Sequence, residues 1–279
     1  MILLSPAQLE NPEDQVIHEV VATVVAHHDA ASGYRLLNLD VPRKALDCRP
    51  GQFFHILCPV DGQNQPFLRR PMSIYGYDRD AGRLSFLYKV TGIGTAALSK
   101  LAEGDRLNVV GPLGNGFTIP RGARHLVLVA RGVGLATLAP LAQEAQRLGL
   151  GLTAICSARS PDHLMSIDHF RSLGAKVIPV TDSEGTSDPA HLRSILDGLV
   201  AKDEIDMIYT CGSNRLLKLC QQVGQDAGIP GEIALEQQMA CAIGMCQCCV
   251  RPFRRDGAVI QERVCREGPV FDIQEAMEW

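Results

Sequence analysis

Four cysteines near the C-terminal end constrain this chain more than any other feature. Cys241-Ala-Ile-Gly-Met-Cys246-Gln-Cys248-Cys249, followed by Cys265, spells C-x4-C-x2-C with a distant fourth thiol. In that spacing one loop wraps a metal centre and a returning strand brings the last ligand, as in plant-type 2Fe-2S sites. Cys241, Cys246, Cys249 and Cys265 are the expected metal ligands, and the small residues Ala242 and Gly244 let backbone N–H groups approach the sulfurs. A tetrahedral zinc site uses the same donors, although zinc ribbons normally set them in two separated C-x2-C knuckles. Ordinary buried cysteines are the third alternative. Cys248 is the odd member, since the two-residue interval from Cys246 favours Cys249 as ligand.

The compartment bears on that reading. Clustered thiols in a reducing cytosol hold metal more often than they form disulfides. No run reaches the roughly 18 apolar residues of a membrane helix. The start, Met1 to Leu4 followed by Ser5 and Pro6, lacks the basic region of a secretion signal. A cytoplasmic chain is the expectation. A net charge of -4 gives no basic field for nucleic acid or an anionic membrane.

At 279 residues the chain exceeds one typical domain. From Val16 to about Pro120, β-rich runs at Val20 to Ala26, Tyr34 to Val41, Gln52 to Cys58, Arg83 to Val90 and Arg106 to Val110 are divided by Gly, Pro and Asp. Short antiparallel strands of this kind suggest a closed barrel. After Pro120 the pattern changes to apolar runs at His125 to Ala130, Leu152 to Cys156, Lys176 to Val180 and Met207 to Cys211. These alternate with helical stretches at Leu135 to Leu148, Pro161 to Leu173, Pro189 to Val200 and Asn214 to Ala227, which argues for a parallel sheet covered on both faces. The expected units are 1–120, an antiparallel β-barrel, 121–228, an α/β nucleotide domain, and 229–279, a small cysteine segment that depends on a metal for its fold.

The string Leu235-Glu-Gln-Gln-Met-Ala-Cys-Ala-Ile-Gly-Met-Cys-Gln-Cys-Cys, with Val264-Cys-Arg-Glu-Gly-Pro-Val-Phe271 downstream, resembles the end of the electron-transfer subunit of class 1B dihydroorotate dehydrogenase. That family lies in the ferredoxin reductase superfamily, in which a flavin barrel precedes a nucleotide domain. The resemblance covers about residues 16 to 273. Ala242 departs from it, standing where the family usually has glycine.

The resemblance implies FAD at two elements. In Arg70-Pro71-Met72-Ser73, an R-x-x-S element, Arg70 pairs with the pyrophosphate and Ser73 reaches the isoalloxazine edge. In Lys89-Val90-Thr-Gly92-Ile-Gly94-Thr95, glycines before a helix expose backbone N–H groups to phosphate and Thr95 adds a hydroxyl. Taken singly, either reads equally as a surface arginine or a capped turn. Gly111-Pro-Leu-Gly114-Asn-Gly116-Phe117 resembles the G-P-x-G-x-x-F element that ends the flavin domain.

NAD(P)H is implied by His125-Leu-Val-Leu-Val-Ala130-Arg131-Gly132-Val-Gly134-Leu-Ala-Thr137, a strand, glycine turn and helix. The family form is usually G-G-G-x-G-x-A-P-L, so Ala130-Arg131, in place of the first glycines, and Thr137, in place of proline, are departures; Arg131 gives up a permissive position and offers a cation to phosphate. Arg159 after a second strand, Asp182 in Thr181-Asp182-Ser-Glu-Gly185 after a third, and Cys211-Gly212 after a fourth complete the expected crevice. The resemblance sets Cys211 beside the nicotinamide ring as the catalytic residue. The histidines, His27-His28 included, show no metal-ligand spacing, and no Ser/His/Asp or paired-carboxylate arrangement supports hydrolysis.

The expected function is a two-electron to one-electron converter. Hydride from NAD(P)H goes to FAD, and single electrons pass to or from the 2Fe-2S cluster and a partner protein. The resemblance makes that partner an FMN-containing dehydrogenase catalytic subunit in a hetero-oligomer. Rival readings are the reductase component of an oxygenase and a non-catalytic, cluster-bearing regulatory or scaffold subunit, the latter motivated by Arg131 and Thr137.

Overall fold

The computed structural model of the protein describes residues 16–62 and 65–278. The Met1 to Leu4 start lies outside the described residues. Strands β1 (His18–Ala31), β2 (Tyr34–Asp40), β3 (Phe53–Ile56), β4 (Arg70–Ser73), β5 (Gly76–Asp78), β6 (Arg83–Lys89) and β7 (Arg106–Leu113) form one sheet in the order β4-β3-β7-β1-β2-β6-β5. Every pairing is antiparallel. The two outer strands, β4 and β5, are consecutive parts of one segment. The sheet therefore curls until that segment pairs with β3 at its start and β6 at its end, giving the expected barrel. In β1 the alternation is legible: Val20, Ala22 and Val24 are buried while Val21 is half exposed. His27 is structural in this barrel, its ring nitrogens hydrogen-bonding Leu101 O at 2.8 Å and Tyr88 OH at 3.0 Å.

A second sheet contains β8 (His125–Arg131), β9 (Gly151–Ala158), β10 (Lys176–Thr181), β11 (Met207–Cys211) and β12 (Gly231–Ala234), in the order β10-β9-β8-β11-β12 and parallel throughout. Its connections carry α2 (Gly134–Leu148), α3 (Ile167–Ser172), α4 (Pro189–Ala201) and α5 (Asn214–Ala227). Successive residues of β8 serve opposite faces: Val127 and Val129 pack with Leu196 of α4 and Leu217 of α5, whereas Leu126, Leu128 and Ala130 pack with α2 and Phe170 of α3. Burial on both faces is why the strand reads as an unbroken apolar run.

Two helix boundaries differ from expectation. The sequence places a helical stretch at Ala96 to Leu101, but helix α1 (Ile93–Leu98) begins three residues earlier because the Thr95 hydroxyl accepts from the N–H groups of Thr91 at 2.9 Å and Gly92 at 3.1 Å. The expected helix from Pro161 to Leu173 is split into a short 3-10 turn at Pro161–His163 and α3, because Ser166 sits at φ 61°, outside the helical region.

Residues 229–278 do not hang beside the sheet; two of their strands extend one edge of it. β12 leads into the cysteine loop, a hairpin of β13 (Val250–Arg255) and β14 (Ala258–Arg263) follows, and β15 (Val270–Asp272) returns antiparallel to β12. Phe253 and Phe271 stack with centroids 4.1 Å apart, in one core with Ile208, Val223, Cys249 and Cys265. The Gly111 to Phe117 element ties the barrel to this segment: Asn115 N–H donates to Gly268 O at 2.7 Å, and a Cβ on Gly114 would lie 2.5 Å from Pro269. Among the described residues no helix is long and apolar enough to cross a membrane.

Candidate redox-cofactor site

One cavity of about 1020 Å³ is walled by all three parts of the chain. Arg70, Pro71, Met72, Ser73, Lys89 and Thr95 line it from the barrel, Val133, Ala136 and Thr137 from the start of α2, and Leu235 to Met239 from the approach to Cys241. That volume suits a dinucleotide-sized cofactor.

The barrel wall distinguishes two neighbouring arginines. Arg69 is engaged with Glu19 Oε1 at 2.8 Å and His55 O at 3.3 Å. Arg70 donates to the carbonyls of Leu68 and Arg69 and lies against Gly94 at the start of α1, where a Cβ would sit 3.0–3.1 Å from the guanidinium. The glycine is needed so that the arginine and the helix start can share one corner. Thr95 spends its hydroxyl on the cap, so it presents the cavity with a helix start more than with a free donor. Val90, Gly92 and Gly94 are not among the lining residues; Gly92 is exposed and Gly94 is buried against Arg70.

The glycine turn has equally specific steric reasons. Gly132 holds φ +56°. A Cβ on Gly134 would lie 2.7 Å from Cys211 O, and one on Gly212, at φ +115°, 2.7 Å from Arg131 O. The two strand ends β8 and β11 therefore touch through glycines. Cys211 is 1 % exposed, and its thiol reaches Thr137 Oγ1 at 3.8 Å. Burial pushes this thiol well above the usual range, so it stays protonated behind the cavity wall.

The remaining expected residues of the crevice gather at the ends of β8, β9 and β10. Arg131 donates to Ser157 Oγ at 3.1 Å and grips Asp182 through two nitrogens, at 3.1 Å and 2.5 Å. Asp182 also accepts from Ser187 Oγ and from Arg215 at 3.4 Å. The Arg131 guanidinium, helped by Ser187, holds the Asp182 carboxyl far below the usual carboxylate range. Arg159 stands exposed at the end of β9.

In the cysteine loop the four expected ligands form two pairs. Cys241 pairs with Cys246 and Cys249 with Cys265, a backbone N–H of one member donating to the sulfur of the other. Backbone N–H groups point at sulfur: Gly244 at Cys265 (3.2 Å), Cys246 at Cys241 (3.4 Å) and Cys265 at Cys249 (3.4 Å). Burial alone would raise the Cys241 thiol, but the N–H groups of Cys246, Ile243 and Met245 outweigh it and bring it to about 6. Burial, followed by the neighbouring Cys249 sulfur, pushes Cys265 up to about 12. A single tetrahedral ion needs its donors to converge on one point, and among the described residues no three His, Cys, Asp or Glu side chains do so. Cys248 is exposed and donates to Gln238 O at 3.7 Å, away from both pairs.

Residues that sequence reasoning missed are Thr137, noted there only as a departure, and Glu236. Glu236 lines the cavity and is exposed to it, and desolvation by the surrounding walls raises its carboxyl above the usual range. The signal for it was its place five residues before Cys241, which became meaningful only when the loop was seen to begin at the cavity.

Comparison with known proteins agrees with this layout. Residues 21–117 match the family described as oxidoreductase FAD-binding domain, and residues 236–276 the iron-sulfur cluster binding domain of dihydroorotate dehydrogenase B. The chain is 33% identical over 250 residues to the electron transfer subunit of dihydroorotate dehydrogenase B (NAD(+)) from Desulforamulus reducens, covering 90% of this chain and 95% of that one. It is 36% identical over 230 residues to the subunit of the same name from Caldanaerobacter subterraneus, covering 82% and 87%. Among solved structures, that of an NADH-dependent reduced ferredoxin-NADP oxidoreductase superposes with a TM-score of 0.76 at 26% identity, over 92% of this chain and 89% of that one. The cytochrome P450 reductase GcoB of Amycolatopsis, at 21% identity and a TM-score of 0.60 over 76% and 66%, shares the fold.

Proposed function

The chain belongs to the family of dihydroorotate dehydrogenase B electron transfer subunits, and from that premise we propose that it passes electrons between NAD(P)H, FAD and a 2Fe-2S cluster that faces a partner redox protein. The observation that carries this reading is the single cavity whose walls come from the R-x-x-S strand, the glycine-turn helix and the lead into the cysteine loop. Bound there, FAD supplies the exchange between two-electron hydride transfer and single electrons, and the cluster supplies a one-electron site.

The chain's own residues position and insulate. Arg70, backed by Gly94, offers a charged fork to a pyrophosphate beside the α1 start. β4 holds Ser73 at the cavity by pairing it with Phe53 of β3. Gly132 and Gly134 open the fifteen-residue helix α2 to a second dinucleotide's phosphates. Cys211, kept neutral by burial, supports Thr137 from behind, so its role is positioning and not attack. Cys241 with Cys246 would hold one iron and Cys249 with Cys265 the other, and the sulfurs of Cys241, Cys249 and Cys265 each take a backbone N–H that favours negative charge. The same reading divides the chain at residues 120 and 228.

The partner in this proposal is an FMN-containing dihydroorotate dehydrogenase catalytic subunit, in a hetero-oligomer, with net flow from dihydroorotate to NAD+. The relatives' names support a catalytic partner. The test is anaerobic. Protein purified without oxygen is assayed for iron, sulfide and flavin, then mixed with NADH and separately with NADPH. Bleaching of the flavin band by at least one donor is expected; a flavin that stays oxidised with both sinks the NAD(P)H step.

A further inference from the structure

Gly244, in the middle of the cysteine loop, is held from two sides. Its N–H donates to the Cys265 sulfur at 3.2 Å, and its carbonyl accepts from Arg263 Nη1 at 2.8 Å. The residue holds φ +84°, and a Cβ there would lie 3.3 Å from that same nitrogen and 3.2 Å from the Cβ of Arg266. Glycine lets the loop and the guanidinium meet this closely. Arg263 ends β14, two residues before Cys265. It therefore ties the loop that carries Cys241, Cys246 and Cys249 to the strand end that carries the fourth thiol.

The guanidinium has a second partner. Its Nε donates to Glu267 Oε2 at 3.0 Å and its Nη2 to Glu267 Oε1, while the Arg263 backbone N–H reaches Glu267 Oε2 at 2.7 Å. The barrel fixes this acid in turn, because Asn115 Nδ2 donates to the Glu267 carbonyl at 2.9 Å. Glu267 first, and then the Cys265 and Cys249 sulfurs, favour the charged form of Arg263. Arg255, on the same hairpin, spends its guanidinium on Glu275 and Glu262 instead.

These contacts have an electrical consequence. Reduction of a 2Fe-2S cluster adds one negative charge, which N–H groups on sulfur and nearby cations favour and nearby carboxylates oppose. Arg263 acts on the favourable side twice, through the Gly244 N–H whose place it fixes and through its own charge. Glu267 acts on the opposing side. The two side chains are 35% and 29% exposed, so either can be replaced without emptying the core of the segment.

We infer that Arg263 is a positioning residue for the cluster: it holds the Gly244 N–H on the Cys265 sulfur and, balanced against Glu267, sets the potential at which the cluster takes up an electron. The inference rests on the four-cysteine cluster reading proposed above.

The experiment uses the full chain, purified without oxygen and carrying its flavin, with iron and sulfide assayed for every variant. The potential is read by redox titration, following the electron paramagnetic resonance signal of the reduced cluster. Arg263→Met removes the Gly244 contact and leaves Glu267 unbalanced. The ratio of reduced to oxidised cluster at a fixed potential should then fall about 10-fold, a shift of about 59 mV to lower potential for one electron. Glu267→Gln keeps the Gly244 contact and removes the opposing charge, so the potential should rise. The double variant carries no charge at either position and should stay below wild type, because the loop has lost its hold. Shifts of opposite sign in the two single variants are what a merely structural ion pair would not give. Potentials unmoved in both, or moved the same way, overturn the inference, and a double variant at or above the wild-type value overturns the positioning role. If Arg263→Met retains no iron, Glu267→Gln decides, and the absence of a rise there overturns the inference. Wild-type protein that holds flavin without iron and sulfide removes the cluster reading itself and this inference with it.

Discussion

Ala242 is buried and holds φ +59°, a left-handed conformation that costs a residue with a Cβ about 1–2 kcal/mol. Burial of its methyl group returns about 0.8 kcal/mol, so alanine is tolerated where the family pattern has glycine. Gly268 leaves no such room. A Cβ there would lie 2.2 Å from the Phe271 ring and 2.9 Å from Val264 O. Gly268→Ala should lower stability by about 1–3 kcal/mol, measured by denaturant unfolding; an unchanged midpoint would contradict the packing described here. The cysteines give a sharper contrast. Cys265→Ser removes one member of a sulfur pair and should abolish the visible cluster bands and most bound iron, whereas Cys248→Ser should keep both. Loss of iron in the second variant would make Cys248 a ligand.

At the scale of elements, the join between barrel and sheet is a clasp. Thr118, just past the last barrel strand, donates its N–H (2.8 Å) and hydroxyl (2.6 Å) to the Glu232 carboxyl on β12, and its carbonyl accepts from Tyr209 OH at 2.5 Å. Burial raises the Glu232 carboxyl from about 4.5 to about 7; Thr118 opposes this and neighbouring Asp272 adds to it. Because the folded state binds this proton more tightly, its stabilising contribution is complete below the unfolded value near 4.5 and is lost as pH rises through about 7. Thermal melts across that window should show falling stability attributable to this group, and Glu232→Gln should flatten that part of the slope. A slope identical to wild type would exclude the clasp as its source.

For the whole molecule, the cysteine segment and the parallel sheet share one core. Cys249, Cys265 and Phe253 pack with Ile208 and Val223. Stripping iron with a chelator removes what holds four thiols in one loop. Cleavage by a protease should then appear between β12 and β15 while the barrel, whose core is separate, resists. If the barrel opens first, the segment is not the metal-dependent part.

The sequence by itself determined the chemistry of the cluster and the order of the two large folds, because both depend on local spacing. C-x4-C-x2-C with Cys265 is a statement about one loop and a return, and β8's apolar run is a statement about two covered faces. It also carried most of the flavin wall, since Arg70 to Ser73 and the α1 start are short contiguous elements. What it left undecided depends on contacts between distant positions. Arg131 read as a lost glycine until its guanidinium met Asp182, 51 residues away in sequence. Cys211 gave no sign in the sequence that its thiol meets Thr137 of α2, 74 residues away. Glu236 had no role until the cavity reached it. Only the tertiary structure decides which side chains share a space, because burial and pairing are set by the packing of whole elements and not by neighbours in the chain.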